Sequence, residues 1–372
     1  MILSNRNKLL MASILFLVGC SHLKPIQPTD DRHEVKFEEV VITGDLALEK
    51  LNDEELFATG TSFFASEDFA QAARYFGRLA DFHQTSPHRR AALYNAGLSL
   101  EKLKLWEEAH QRFQELADPA KGTGDSLDAA FRVAETLYHQ ARFDEAVVVL
   151  RVIGGREDLP LNKRMEARVQ QGICELESGQ ADVAEMTLRK VMSTWQELAD
   201  KDLVDEYFPA QAQFFMGEIY RIHYEAVTLD ADKTSDQLAK DVEYKAELLL
   251  SAQGHYLRAI RIGNGYWATA AGAQIGGLYE NLYDHMMHAP APSELNKDEG
   301  AIYIQELRKK IRVLITKAIT VYERTLEAAE RIGAASPFVE RTRESLKRMK
   351  DMLLADAKAE EESQLPAKVP HG

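Results

Sequence analysis

His285 and His288, with Met286 and Met287 between them, carry the donor types that a soft metal takes, copper above all. They stand just before Ala289-Pro290-Ala291-Pro292, where a helix must stop, so the other reading is that they satisfy that helix's last carbonyls. Lys121-Gly122-Thr123-Gly124-Asp125-Ser126 has the residue types of a phosphate loop in the wrong order for GxxxxGK[ST]. Gly263-Asn264-Gly265 is a lone GxG with no strand before it, and both segments read as connections between helices. No HExxH, GxSxG or SxxK occurs, and carboxylates are too numerous for one pair to stand out as an acid/base couple. The expectation is therefore no catalytic residue, no cofactor and no metal site. Arg308-Lys309-Lys310 with Arg312 is the one basic cluster, either a solvated helix face or a docking patch for an acidic partner or anionic headgroups.

The elements that would position any site must come from apolar packing. Hydrophobic residues make up 45% of the 372 and charged ones 28%, which excludes wholesale disorder and a polytopic membrane protein. Lys and Arg number 45 against 59 acids, a net charge of −14, so phosphate backbones are repelled and nucleic acid is not an expected partner. Two cysteines, Cys20 and Cys174, cannot build a structural zinc site, and Cys174 reads as a buried, inert thiol.

A fixed ruler runs through the chain. Gly60, Gly97, Ala134 and Gly172 are separated by 37, 37 and 38 residues. Twelve residues after each stands an alanine (Ala72, Ala109, Ala146, Ala184), and four later a large apolar residue (Phe76, Phe113, Leu150, Leu188). Nine after each stand Phe69, Trp106, Phe143 and, exceptionally, Ala181. The small residues mark where two amphipathic helices of one pair cross closely, and SEDF, KLKLW, HQARF and SGQA form the turns between them. Pro87, Pro119 and Pro160 mark breaks between pairs. Beyond 205 the ruler slips. Gly217 and Gly276 look like two further first-helix landmarks, but Leu229 and His288, not alanines, stand twelve residues on. Long helices are expected over 237–262 and 298–332, and a last one from Pro337 to about Glu361.

This pattern, clearest in LYNAGLSLEKLKLWEEAHQRFQEL (93–116), resembles the tetratricopeptide repeat (TPR). The resemblance implies an all-α fold, a TPR-like α-solenoid of antiparallel helix pairs with longer, atypical C-terminal helices. It covers 51–200 as four units and 201–335 as divergent pairs, followed by a capping helix over 336–362 and a disordered tail over 363–372. In that family the first helices line a concave groove that takes protein partners. Carried over, the groove positions here are Phe57, Phe64, Tyr94, Glu101, Lys102, Phe131, Glu135, Tyr138 and Phe214. Exposed rings among charges are what a peptide groove needs, although some of these rings are expected in the core.

Arg6 and Lys8 precede an eleven-residue, largely apolar run, Leu9–Gly19, which as a helix is about half the thickness of a bilayer's hydrocarbon core. Short run and basic start read as a signal peptide over 1–19. Leu17-Val18-Gly19-Cys20 resembles a bacterial lipobox, which implies cleavage after Gly19 and lipidation of Cys20. Two or more acyl chains at about 0.8 kcal/mol per buried methylene anchor durably. Ser21, rather than Asp, favours outer-membrane sorting, and residues 20–50 with Pro25 and Pro28 read as a lipidated tether. The chain as a whole is similar in layout to TPR lipoproteins of Gram-negative envelope assembly and motility machineries. The expectation is a non-enzymatic scaffold on the periplasmic side of the outer membrane, with other envelope proteins as partners. The alternative is an accessory factor that regulates or carries a peptidoglycan-remodelling enzyme.

Overall fold

A computed structural model describes residues 48–198, 200, 204–229, 233–289, 291–292 and 294–364. The signal peptide, Cys20, most of the tether and residues 365–372 lie outside the described residues. Two compact units divide at Gln180/Ala181, between the helices of the fourth repeat. Among the described residues, unit 1 holds α1 (Asp53–Ala65), α2 (Phe69–Phe82), α3 (Arg89–Lys102), α4 (Trp106–Gln114), α5 (Asp125–His139), α6 (Phe143–Gly155) and α7 (Leu161–Glu177). Unit 2 holds α8 (Ala181–Glu197), α9 (Tyr207–Ala226), α10 (Ser235–Ile262), α11 (Gly265–Met287), α12 (Lys297–Ile332) and α13 (Pro337–Gln364). The fold is all-α and TPR-like, and in each unit consecutive helices pack on one another.

The turns of unit 1 are copies of one motif. Seven residues after each landmark the chain turns left-handed, at Glu67, Lys104, Ala141 and Gly179 with φ of 62°, 61°, 58° and 85°. The next N–H reaches back five residues, Asp68 to Phe63, Leu105 to Leu100, Arg142 to Leu137 and Gln180 to Glu175, each at 2.9 Å. This bond satisfies a carbonyl that the ending helix leaves without a partner, and it reverses the chain within three residues. Phe69, Trp106 and Phe143 then open the second helices, half-buried. Phe69 packs edge-on against Phe64 and Phe143 against Tyr138, while Trp106 stacks on His139 at 3.9 Å.

Behind each turn the helices cross on the landmark. A Cβ added at Gly60 would stand 2.9 Å from the Phe76 ring, and one at Gly97 2.6 Å from Phe113. The third pair places Ala134 and Leu150, both buried, at these positions. Ala72, Ala109 and Ala146 are fully buried beneath them. First helices of neighbouring pairs also touch, α3 on α5.

Unit 2 keeps the crossing and changes its spacing. Gly217 faces Tyr256 at 2.6 Å and Gly276 faces Tyr322 at 2.1 Å, again measured from an added Cβ. Four residues before these tyrosines stand the fully buried Ala252 and Ala318. The Ala-x-x-x-ring pair therefore persists, delayed by longer connections and longer helices. Capping boxes start the long helices: Thr234 with Gln237 for α10 and Asn296 with Glu299 for α12. Gly263 and Gly333 end them in left-handed conformation. α9 is closed differently. The buried Lys245 donates to the carbonyls of Tyr224 (2.7 Å) and Val227 (2.9 Å), with its ammonium 3.9 Å from the Tyr224 ring centroid. Burial pushes that amine down to about 8. Cys174 is buried in α7, and burial raises its thiol far above the ordinary range. No described helix is long and apolar enough to cross a membrane.

Candidate functional site

The first-helix face of unit 1 converges on one guanidinium. Arg132 of α5 holds Glu101 of α3 at 3.1 Å and Glu135 of its own helix at 2.8 Å. The three side chains are 7%, 8% and 13% exposed. Glu101 Oε1 is buried without a hydrogen-bond partner. Burial pushes the Glu101 carboxyl well above the carboxylate range; Glu135 reinforces the shift and Arg132 opposes it. Burial raises Glu135 as well, against the pull of Arg132. On α7, Lys163 binds Glu166 at 3.0 Å and sits 5.1 Å from the Phe131 ring centroid. Burial raises the Glu166 carboxyl too. Three helices thus bring three acids and two paired cations to one face, with Lys102 exposed beside them. Chemically this is a crowded polar cluster: Glu101 Oε1 meets no partner, and one guanidinium serves two carboxyl groups.

The rings assigned to the same groove are mostly buried rather than open. Phe57, Tyr94, Phe131, Tyr138 and Phe214 are all buried, and only Phe64 is half-buried, so the expectation of open groove aromatics is corrected for five of the six. Phe57 packs on Phe76 and stacks on His88. Tyr94 meets the Phe113 ring edge-on, and burial raises its hydroxyl despite a bond to Arg132. Tyr138 packs on Phe143, and burial together with the neighbouring Glu177 carboxylate raises its hydroxyl. Phe214 belongs to unit 2, where it lines the fully buried Trp267 at 5.0 Å. The physical reason is register. Phe57, Tyr94, Phe131 and Phe214 each precede a landmark by three residues, and three of them meet the landmark's own ring on the second helix, Phe57 on Phe76, Tyr94 on Phe113 and Phe214 on Tyr256.

Register also exposes what the sequence reading missed. Glu135 and Glu218 follow a landmark by one residue, Glu101 and Glu280 by four, so these four acids share two first-helix positions, while the buried Glu175 follows Gly172 by three. Glu218 accepts from Tyr256 Oη, Gln274 (2.7 Å) and Arg221 (2.8 Å). Glu280 accepts from Tyr322 Oη at 2.8 Å and from Arg348 at 3.0 Å. Arg132 could have been found as the cation three residues before Glu135 on one face.

The remaining candidates resolve as follows. His288 Nδ1 bonds to the Asp284 carbonyl at 2.7 Å, as a helix-ending residue does, and His285 stacks on Tyr224. Among the described residues no group of three or more potential ligands could hold a metal. Lys121–Ser126 is the link into α5, and Asn264 caps α11 through its side chain on Trp267 N–H. In the basic run, Lys309 is exposed and pairs with Glu306; the side chains of Arg308 and Lys310 lie outside the described set.

No family model matches the chain, and no curated protein matches it. Among solved structures it is similar to a TPR-repeat protein from Bacteroides fragilis NCTC 9343, at 12% identity over 81% of this chain and 99% of that one, with a TM-score of 0.30. It is likewise similar to a tetratricopeptide-repeat protein from Parabacteroides merdae ATCC 43184, at 14% identity over 80% and 98%, with a TM-score of 0.35. Likenesses at this level carry no argument by themselves, and the TPR-like assignment rests on the repeated turns and the ring-on-glycine crossings.

Proposed function

We propose that the chain is a non-enzymatic scaffold, held by a lipidated Cys20 on the periplasmic side of the outer membrane, that docks envelope proteins through the first-helix face of unit 1. TPR-like helix pairs suit protein partners in general, because stacked first helices offer a long face of adjustable side chains. The observation that carries the docking site is the buried, unpartnered Glu101 Oε1 beside an Arg132 shared by two acids. A buried polar atom without a partner costs about 1–3 kcal/mol, and a docking partner that hydrogen-bonds the Glu101 carboxyl recovers it. The anchor is supported by Leu17-Val18-Gly19-Cys20 directly after a short apolar run.

Cross-linked envelopes test this reading. A tagged chain should capture outer-membrane complex subunits, and Glu101→Gln should reduce the capture while leaving the far-ultraviolet spectrum unchanged. Equal capture by wild type and variant would remove the site. Cys20→Ser should leave the protein unlabelled by palmitate and released from membranes; labelling equal to wild type would remove the anchor. Capture of cell-wall hydrolases alone would instead support the accessory-factor reading.

A further inference from the structure

A second polar site lies wholly in unit 2, where α11 and α13 flank α12. A pocket of about 320 Å³ opens there, within the size range of small-molecule sites of roughly 300–1,000 Å³. Its two walls differ in chemistry. The α11 wall presents Asn281 and Asp284, one helical turn apart, and Asn281 Oδ1 is a buried acceptor with no donor. The α13 wall presents Arg341 and Thr342, and Thr342 is fully buried with Oγ1 unpartnered. A helical threonine ordinarily bonds a carbonyl of the preceding turn. Thr342 does not, so its hydroxyl remains available to whatever fills the pocket.

The charges point the same way. Two carboxyl groups and two guanidiniums line the pocket: Glu280 and Asp284 against Arg341 and Arg348. Glu280 and Arg348 pair with each other at 3.0 Å, and Glu280 also accepts from Tyr322. Asp284 and Arg341 have no ion-pair partner among the described residues. A simple anion would leave Asp284 unmatched, and a simple cation would leave Arg341 unmatched. A neutral polyol could hydrogen-bond these groups but would bring no charge to match Asp284 or Arg341. A molecule with an ammonium at one end and a carboxylate at the other meets both orphaned atoms and matches both charges.

We propose that this pocket binds a small zwitterion of the amino-acid type, its ammonium toward Asn281 Oδ1 and the Asp284 carboxylate on α11, its carboxylate toward Thr342 Oγ1 and the Arg341 guanidinium on α13. The site is separate from the docking face of unit 1 and does not depend on it. The phenol of Tyr322, fixed between Gly276 and Glu280, forms the wall contributed by α12.

Titration calorimetry on the full chain tests the proposal with four probes at matched ionic strength: L-alanine, acetate, ammonium chloride and glycerol. L-alanine should bind saturably, and the other three should each bind at least tenfold more weakly. Asp284→Asn and Arg341→Gln change exposed side chains, so both variants should fold, and each should weaken L-alanine by about tenfold or more, as losing a charged hydrogen-bonding partner does. Thr342→Val separates site from scaffold. Removing an orphaned buried hydroxyl should raise the melting temperature of the ligand-free protein while lowering its affinity for L-alanine. Absent L-alanine binding, glycerol binding as tight as L-alanine, unchanged affinity in Asp284→Asn and Arg341→Gln, or a lower melting temperature in Thr342→Val would each overturn it.

Discussion

In unit 1 the rings seated on the landmark glycines are phenylalanines, Phe76 on Gly60 and Phe113 on Gly97; in unit 2 they are tyrosines, Tyr256 on Gly217 and Tyr322 on Gly276. The added hydroxyl is not idle. Tyr256 Oη donates to Glu218 and Tyr322 Oη to Glu280, so each crossing in unit 2 carries a buried hydrogen bond to a first-helix acid. In unit 1 the equivalent acids, Glu101 and Glu135, have no phenol to accept from and lean on Arg132 instead. At the Gly97 crossing a phenylalanine stands where unit 2 has a tyrosine, and at the Ala134 crossing Leu150 stands there, so neither Glu101 nor Glu135 is met by a phenol of its own pair. Unit 1 keeps an unmet oxygen on its face, and unit 2 closes its acids and leaves the polar pocket beside Glu280.

The largest effect that can break this comparison is expected from Gly276→Ala. Its Cβ would stand 2.1 Å from the Tyr322 ring, against 2.6 Å from Phe113 for Gly97→Ala. Both variants overpack at about 1–3 kcal/mol. Displacing Tyr322 also strips a donor from Glu280, which keeps Arg348, and this adds about 1 kcal/mol. Chemical denaturation should rank Gly276→Ala well below Gly97→Ala; equal losses would mean that the phenol contributes nothing to the crossing. The ring exchange is next in size. Phe113→Tyr brings to the Gly97 crossing the phenol that Glu101 lacks and Glu280 has, so a gain of about 1 kcal/mol is expected. Tyr256→Phe leaves Glu218 with Arg221 and Gln274, so a loss of about 1 kcal/mol is expected.

The crossing itself was legible in the residues. Gly60, Gly97 and their Ala-x-x-x-Phe partners are a sequence statement of two helices touching, and the structure adds only the distances. In unit 2 the same statement is present, as Gly217 with Ala252-x-x-x-Tyr256 and Gly276 with Ala318-x-x-x-Tyr322. A fixed spacing does not reveal it, because packing fixes only the pair and lets connections lengthen. For the site, Glu101 and Glu135 were legible as acids on a first-helix face. Tyr94 and Phe131 do lie against the site's cations, Arg132 and Lys163, but buried, because an aromatic beside charges looks open until its three-residue offset from the landmark is noticed. Arg132 and Glu166 were invisible for another reason: a charge run on a helix reads as solvated unless burial is known.

The pH dependence should separate the units by sign. The Glu101 carboxyl is raised from 4.5 in the folded chain, so the folded state holds its proton more tightly than the unfolded one. Its stabilising contribution is complete below about 4.5 and is lost as pH rises through neutrality. Lys245 runs the other way. Its amine is lowered to about 8, so the unfolded chain binds the extra proton above that pH, and stability rises from pH 8 toward 10. Hydrogen exchange, corrected for intrinsic rates, should show α3 and α5 loosening from pH 5 to 8, and this slope should shrink in Glu101→Gln. From pH 8 to 10 the protection of α9 and α10 should grow, and Lys245→Met should abolish that growth. Slopes of one sign in both units would contradict the assignment of the two buried charges.

The smallest effect concerns the turns, where unit 1 is uniform and unit 2 is not. Glu67, Lys104 and Ala141 each hold a left-handed conformation, φ near 60°, that side chains with a Cβ disfavour by about 1–2 kcal/mol. The fourth copy solves this with Gly179. Lys104→Gly and Ala141→Gly relieve that strain but also free the unfolded chain, so a net gain of about 0.5–1 kcal/mol each is expected. Both side chains are exposed, which leaves backbone conformation as the cause of any change. Gly179→Ala, where an added Cβ meets nothing within 4 Å, should lose about the same amount for purely conformational reasons. Melting curves of the three variants resolve gains and losses of this size. The connections of unit 2 span Val227 to Thr234 and His288 to Asn296, too long for the three-residue reversal, so grafting a Lys-Gly-Leu turn there should bring no such gain. A gain in unit 1 with none in unit 2 would locate the repeat's regularity in its turns as much as in its crossings. No gain in either would mean that Glu67, Lys104 and Ala141 recover the strain through contacts of their own.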